Sequence, residues 1–126
     1  MLKLLAVAAA GAAGTLARYW LSGSVHRYSK ASFPSGTLVV NLVGCLVIGL
    51  ISYVSTQYAI VGPDTRVVLF VGLVGGFTTF SAFGLETLEL LRGGSVALAG
   101  VNILGNVAGG LAAVWLGWSA GRVLGP

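Results

Sequence analysis

The sequence predicts an all-α membrane protein with four spanning helices, and three observations carry that reading. Of its 126 residues, 56% are hydrophobic and only 8% are charged, with a mean hydropathy of +0.96, which lies outside the usual composition of soluble domains. Four apolar runs, Leu4 to Ser22, Thr37 to Thr56, Val67 to Leu91 and Ser95 to Ala120, each come near the roughly 20 residues needed to cross a hydrocarbon core of about 30 Å. The third run contains Gly72-Leu-Val-Gly-Gly-Phe-Thr-Thr-Phe-Ser-Ala-Phe83, a density of glycines and hydroxyls for which a lipid-facing helix has no use. The runs form one transmembrane domain over residues 1–126 and leave almost no chain for a soluble catalytic module or receptor head. Function must therefore sit within the membrane.

Charge narrows the partners. Seven Lys and Arg face three acids, but the bases are scattered singly and form no stripe that could follow a phosphate backbone, which argues against nucleic acid. Cys45 has no partner in its own chain, so it can form no intrachain disulfide, and metal-cluster spacing is absent. It reads as a small core residue. His26 reads as a solvated side chain in a basic loop. No set of acid, base and nucleophile appears, so the chain does not read as an enzyme.

The first run opens with Met1-Leu-Lys-Leu-Leu and small residues, in the manner of a secretory signal peptide. It continues through Thr15-Leu-Ala-Arg-Tyr-Trp-Leu21, however, and ends in interfacial aromatics, so it reads as a retained first helix. Arg18 lies about a turn inside that end. Its guanidinium either snorkels to the headgroups or stands at the mouth of an aqueous vestibule and draws anions inward. The segment from Gly23 to Phe33, with His26, Arg27 and Lys30, reads as a loop. Pro34-Ser-Gly-Thr37 then supplies turn and capping residues for the second helix. Thr37 and Asn41 share one face of it, continued by Gly44 and Cys45. The Asn41 carboxamide needs a partner inside the membrane, either an interhelical hydrogen bond or a pore in which it acts as donor.

Pro63, Asp64 and Arg66 mark the next turn. Gly72, Gly75 and Gly76 predict a break in the third helix at Gly75 to Thr79, since each glycine costs roughly 1 kcal/mol relative to alanine. At membrane depth a break is tolerated only where protein or water replaces the lost backbone partners. Phe80 and Phe83 share a face if the helix resumes near Thr79, beside the hydroxyls of Thr78, Thr79 and Ser81. Glu86 lies deep enough to require a hydrated cavity or a hydrogen-bonding partner, and its role stays open; Glu89 reaches water. Arg92-Gly-Gly94 is a tight turn. The fourth run carries Asn102 and Asn106 at i, i+4. Gly105 with Gly109, and Gly117 with Gly121, are spaced for close helix packing.

Lys3, Arg66 and Arg122 fall on one membrane face and Arg27, Lys30 and Arg92 on the other, three each, with Arg18 as a fourth on the second. So even a count leaves the positive-inside rule almost nothing to act on. A chain that inserts both ways can pair as an antiparallel homodimer. Such a pair can enclose a polar path that one small chain cannot.

Gly14-Thr-Leu-Ala-Arg18, Gly36-Thr-Leu-Val-Val-Asn-Leu-Val-Gly44 and Gly75-Gly-Phe-Thr-Thr-Phe-Ser-Ala-Phe83 with Glu86 together resemble the Fluc (CrcB) fluoride channels. The resemblance extends over all four helices. It implies a multi-pass, dual-topology homodimer in the lipid of the cell (inner) membrane, with two parallel pathways that let cytoplasmic fluoride out. Asn41 matches the pore asparagine, Phe80 and Phe83 the paired phenylalanines, and Arg18 the vestibule arginine. Gly75 and Thr78 match positions whose backbone carbonyls, two from each subunit, hold a structural sodium ion that is not transported. Gly110 departs from the pattern, standing where a hydroxyl residue is common.

Elementary chemistry agrees with that implication. Fluoride is small and tightly hydrated, so a pore must replace its water with donors, and the Asn41 amide and the hydroxyls of Thr79 or Ser81 are suited to this. The edges of the Phe80 and Phe83 rings carry partial positive charge. At a two-fold axis, two copies of Gly75 to Thr78 would oppose their carbonyl dipoles unless a cation sat between them, and hard oxygen ligands suit an alkali ion. The rival from composition is a small multidrug-resistance-type, proton-coupled exporter, which typically needs a deep carboxylate in the first helix, where this chain has only Arg18. A structural subunit would explain the glycines but not the hydroxyls grouped with Asn41.

Overall fold

The computed structural model describes residues 1–29, 33–58 and 61–124. Four of its helices are long and apolar enough to cross a membrane, Leu2–Ser29, Ser35–Gln57, Pro63–Arg92 and Val96–Val123, so the chain is a multi-pass, all-helical membrane protein. A salt bridge of 2.7 Å from Lys3 Nζ to Asp64 Oδ1 fastens the start of the first helix to the start of the third span.

The first helix extends to Ser29 and takes in much of the segment expected to be a loop. Gly23 alone costs such a helix only about 1 kcal/mol, and no proline intervenes before Pro34. His26 and Arg27 therefore belong to its last turn, where the Arg27 cation complements the carbonyl end of the helix dipole. Arg27 Nη2 also donates to Ser24 Oγ at 3.3 Å. Lys30 lies outside the described residues.

The second helix begins at Ser35 behind Pro34, without the side-chain cap expected of that stretch. Thr37 is committed elsewhere: its hydroxyl donates to Glu86 Oε1 on the third span. Gly36, Thr37, Val40 and Gly44 are the buried residues of the first half of the helix, so this face turns inward as its polar spacing requires.

In the third span, the glycines expected to loosen the backbone remain helical. Val68–Val74 form π-helical turns and Gly75–Phe77 an α-turn. Their small size serves the crossing with the first helix. A Cβ on Gly72 would lie 2.9 Å from Val7 O, one on Gly76 2.6 Å from Gly11 O, and one on Gly14 2.9 Å from Phe77 N. Close backbone approach through small residues is the usual way helices associate in lipid. Only Thr78 (φ −84°, ψ 161°) and Thr79 (φ −151°, ψ 112°) are extended, and the helix Phe80–Arg92 follows them. Thr79 caps that helix, its Oγ1 accepting from Ala82 N at 3.2 Å. Gly94, at φ 77°, then turns the chain in the left-handed conformation glycine favours, with Ser95 N donating to Leu90 O at 2.8 Å.

The fourth span comprises Val96–Leu104, π-helical turns over Gly105–Gly109, and Gly110–Leu124. Its second half lies directly on the second helix. A Cβ on Gly117 would come 2.9 Å from Leu50 N, and one on Gly49 3.1 Å from Trp118 N. The buried apolar core is thin, with Val40, Val74, Phe83 and Ala99 among its members, while Leu5, Leu16, Leu85, Val107 and Leu111 face outward. That inversion is natural for a chain whose surroundings are hydrocarbon.

Candidate functional site

The extended pair Thr78–Thr79 withdraws backbone groups from the helical ladder, and the second helix meets them with a side chain shaped like a peptide. Thr79 N donates to Asn41 Oδ1 at 2.8 Å, and Asn41 Nδ2 donates back to Thr79 O at 3.1 Å. The same amide nitrogen donates to Asn106 Oδ1 at 2.8 Å. Both N–H groups of Asn41 are thus engaged within the chain, and part-buried backbone groups that would be orphaned at membrane depth are satisfied.

The chain of amides continues into the fourth span. Asn106 Nδ2 donates to Asn102 O and Oδ1, each at 3.0 Å. Asn102, at 0% exposure, donates to Thr87 Oγ1 at 2.9 Å, and Thr87 donates to Phe83 O at 2.7 Å. Asn102 and Asn106 were visible in the sequence, but the glycines beside them suggested packing alone. Their i, i+4 spacing repeats that of Thr37 and Asn41 and was the available signal. Thr87 gave none.

A cavity of about 260 Å³ opens beside this network, lined by Asn41, Thr78, Thr79, Phe80, Phe83 and Asn106, with Cys45 in its apolar wall. The two phenyl rings have centroids 5.2 Å apart and planes at 59°. Phe83 is 7% exposed and closes the inner wall, whereas Phe80, at 80%, stands on the flank of the chain. A second cavity, about 520 Å³, contains Arg18, His26, Thr37 and Glu86 in its lining and shares Thr79 with the first. Glu86 takes a hydrogen bond from Thr37 on Oε1, while its buried Oε2 has no protein partner.

Asn41, Thr79, Phe80 and Phe83 therefore come together, and Arg18 joins them through the cavity that Thr79 shares. Ser81 lines neither cavity; its Oγ lies 3.3 Å from Thr79 Oγ1. Gly75 lines neither and is exposed on the outer face of the third span. The N–H groups four residues beyond Gly75 and Thr78 donate instead to Asn41 Oδ1 and Thr79 Oγ1, so both carbonyls have lost their α-helical donors. At Gly110 a Cβ would lie 3.4 Å from Cys45 Sγ; the polar track of the fourth span runs through Asn102 and Asn106 and stops short of it. No group of His, Cys, Asp and Glu able to hold a metal occurs among the described residues. An ion here would meet amides, hydroxyls, carbonyls and ring edges.

The family model for the CrcB-like protein, Camphor Resistance (CrcB), matches residues 5–118. The chain is 51% identical over 119 residues to the fluoride-specific ion channel FluC of Methylobacillus flagellatus, covering 94% of this chain and 93% of that protein. It is 44% identical over 124 residues to the proteins of the same name from Citrifermentans bemidjiense and Geobacter metallireducens, covering 98% of this chain and 100% of each. With a match that runs from the first helix into the last, the chain belongs to the CrcB family.

Proposed function

We propose that the protein is a fluoride-selective channel that lowers cytoplasmic fluoride by letting the ion run down its gradient across the cell membrane. The observation that carries the reading is the convergence of Asn41, Thr79, Phe80 and Phe83 on one cavity, in a chain whose similar relatives bear the name fluoride-specific ion channel FluC. Arg18 attracts the anion into the neighbouring cavity. Thr79, common to both cavities, hands it to the ring edges, whose positive rim faces an anion favourably. No bond is made or broken, so the protein works as a channel and not as an enzyme.

The working unit in this reading is an antiparallel homodimer with two pathways. Balanced basic residues on the two faces and the outward stance of Phe80 and Gly75 support it, since a second copy would complete what a single chain leaves open. The extended residues Thr78 and Thr79 then form the break of the third span at the two-fold axis. The carbonyls of Gly75 and Thr78, deprived of their α-helical donors, suit a sodium ion shared with the second copy. When bound, that ion supplies fixed positive charge between the two pathways. A proton-coupled exporter is disfavoured because Glu86 lies on the third span and is bonded to Thr37, and the first helix offers Arg18 in place of a carboxylate.

Purified protein in liposomes should release fluoride far faster than chloride; comparable rates would remove the reading. Adding two or three Lys to the C-terminal tail should bias insertion and silence the protein expressed alone, with recovery on adding an oppositely biased copy. Prolonged exchange of sodium for a bulky organic cation should lower fluoride flux.

A further inference from the structure

One path through the amide network keeps a single direction, while Asn41 Nδ2 also donates back to Thr79 O. Reading from donor to acceptor, the path runs from Thr79 N to Asn41, to Asn106, to Asn102, to Thr87 and to Phe83 O. It therefore starts and ends on the backbone of a single turn, the one that carries Phe80 and Phe83. Resting on the fluoride-channel reading, we propose that Asn102 and Thr87 are positioning residues for selectivity: buried side chains that clamp this turn and hold the two rings and the Asn41 amide in register.

Neither residue touches the passage. Asn102 is fully enclosed and Thr87 is buried, and neither lines the cavity that Phe80 and Phe83 share. Their influence has two routes. Thr87 pulls on Phe83 O from within the helix, and Asn102 gathers both the amide of Asn106 and the hydroxyl of Thr87. Asn106 passes this constraint to Asn41, whose amide pairs with the Thr79 peptide at the other end of the turn. A chain of polar groups fixed at both ends restricts ring placement more than packing alone, because each buried group left unpaired is costly. The fourth span thus sets the aim of side chains on the second and third.

The test separates a clamp from a mere packing residue. Thr87→Val keeps the shape and removes the hydroxyl, whereas Thr87→Ser keeps the hydroxyl; Asn102→Leu with Thr87→Val replaces both partners by apolar groups. Each variant is reconstituted in liposomes, and the ratio of fluoride to chloride release is measured. With the release from protein-free liposomes subtracted, that ratio belongs to each working channel, so loss of folded protein lowers both rates and leaves it unchanged. We expect Thr87→Val and the double variant to lower the ratio by about tenfold, equivalent to about 1.4 kcal/mol, and Thr87→Ser to restore it. An unchanged ratio in both Thr87→Val and the double variant, whether or not total flux falls, overturns the clamp. So does a Thr87→Ser ratio as low as that of Thr87→Val. Failure of the parent protein to prefer fluoride would overturn the channel reading itself, a different result from a selective parent whose variants stay selective.

Discussion

The second helix and the fourth span meet twice, and the two meetings use glycine for different ends. In one half, Gly49 and Gly117 bring backbone against backbone, with Leu50 N and Trp118 N where a Cβ would go. In the other half, Gly105 and Gly109 face only the side-chain tips of Leu38 and Leu42, each at 3.1 Å from a Cβ position, and the amides of Asn41, Asn102 and Asn106 occupy that level. The first half is a dry seam whose cohesion is packing. The second is held by hydrogen bonds and stands wide enough to border a cavity. Glycines spaced four apart therefore mark a tight seam where the facing atoms are backbone or a bulky ring, as at Gly117 and at Gly121 against Tyr53, and not where they are flexible leucine tips.

Substitutions should separate the halves, most severely at the seam. Gly117→Ala forces a Cβ into the backbone at Leu46 and Leu50, and overpacking of about 1–3 kcal/mol or more is expected. The folded protein should be largely lost on size-exclusion chromatography. In the hydrogen-bonded half, Asn41→Asp removes the donors that reach Thr79 O and Asn106 Oδ1. At about 1–3 kcal/mol for each orphaned group, fluoride release should fall by about tenfold or more while the folded protein persists. Phe83→Ile removes the ring that closes the inner wall and should impair release in the same sense. The mildest change is Gly109→Ala, where the tip of Leu42 can rotate aside. Thermal stability should stay within about 1 kcal/mol of the parent, and a severe loss would erase the contrast between the halves.

The same contrast explains how much the sequence disclosed. The four spans follow from apolar runs, and the inward face of the second helix follows from Thr37, Asn41 and Gly44, because helical spacing maps directly onto one side of a cylinder. Phe80 and Phe83 could be named for the same reason, whereas Asn41 and Thr79 were marked by their polar groups at membrane depth, and Asn41 also by the family resemblance. What remained hidden depends on the partner across the gap. Gly72 and Gly76 looked like breaking points, yet the first helix lies close enough to need their missing side chains. The loop expected after Ser22 is helical to Ser29 because one glycine is a weak breaker. Thr87 was illegible: a threonine on a helix seldom declares whether its hydroxyl serves its own backbone or, as here, also receives a bond from Asn102.

On the proposed function, the polar node between these helices passes fluoride passively, and a reversal potential is the sharpest measure of this. In a planar bilayer with fluoride at unequal concentrations on the two sides and chloride in the opposite gradient, the current should reverse near the fluoride equilibrium potential and stay there when a proton gradient is imposed. A reversal near the chloride equilibrium potential, or one that moves with the proton gradient, would contradict the account.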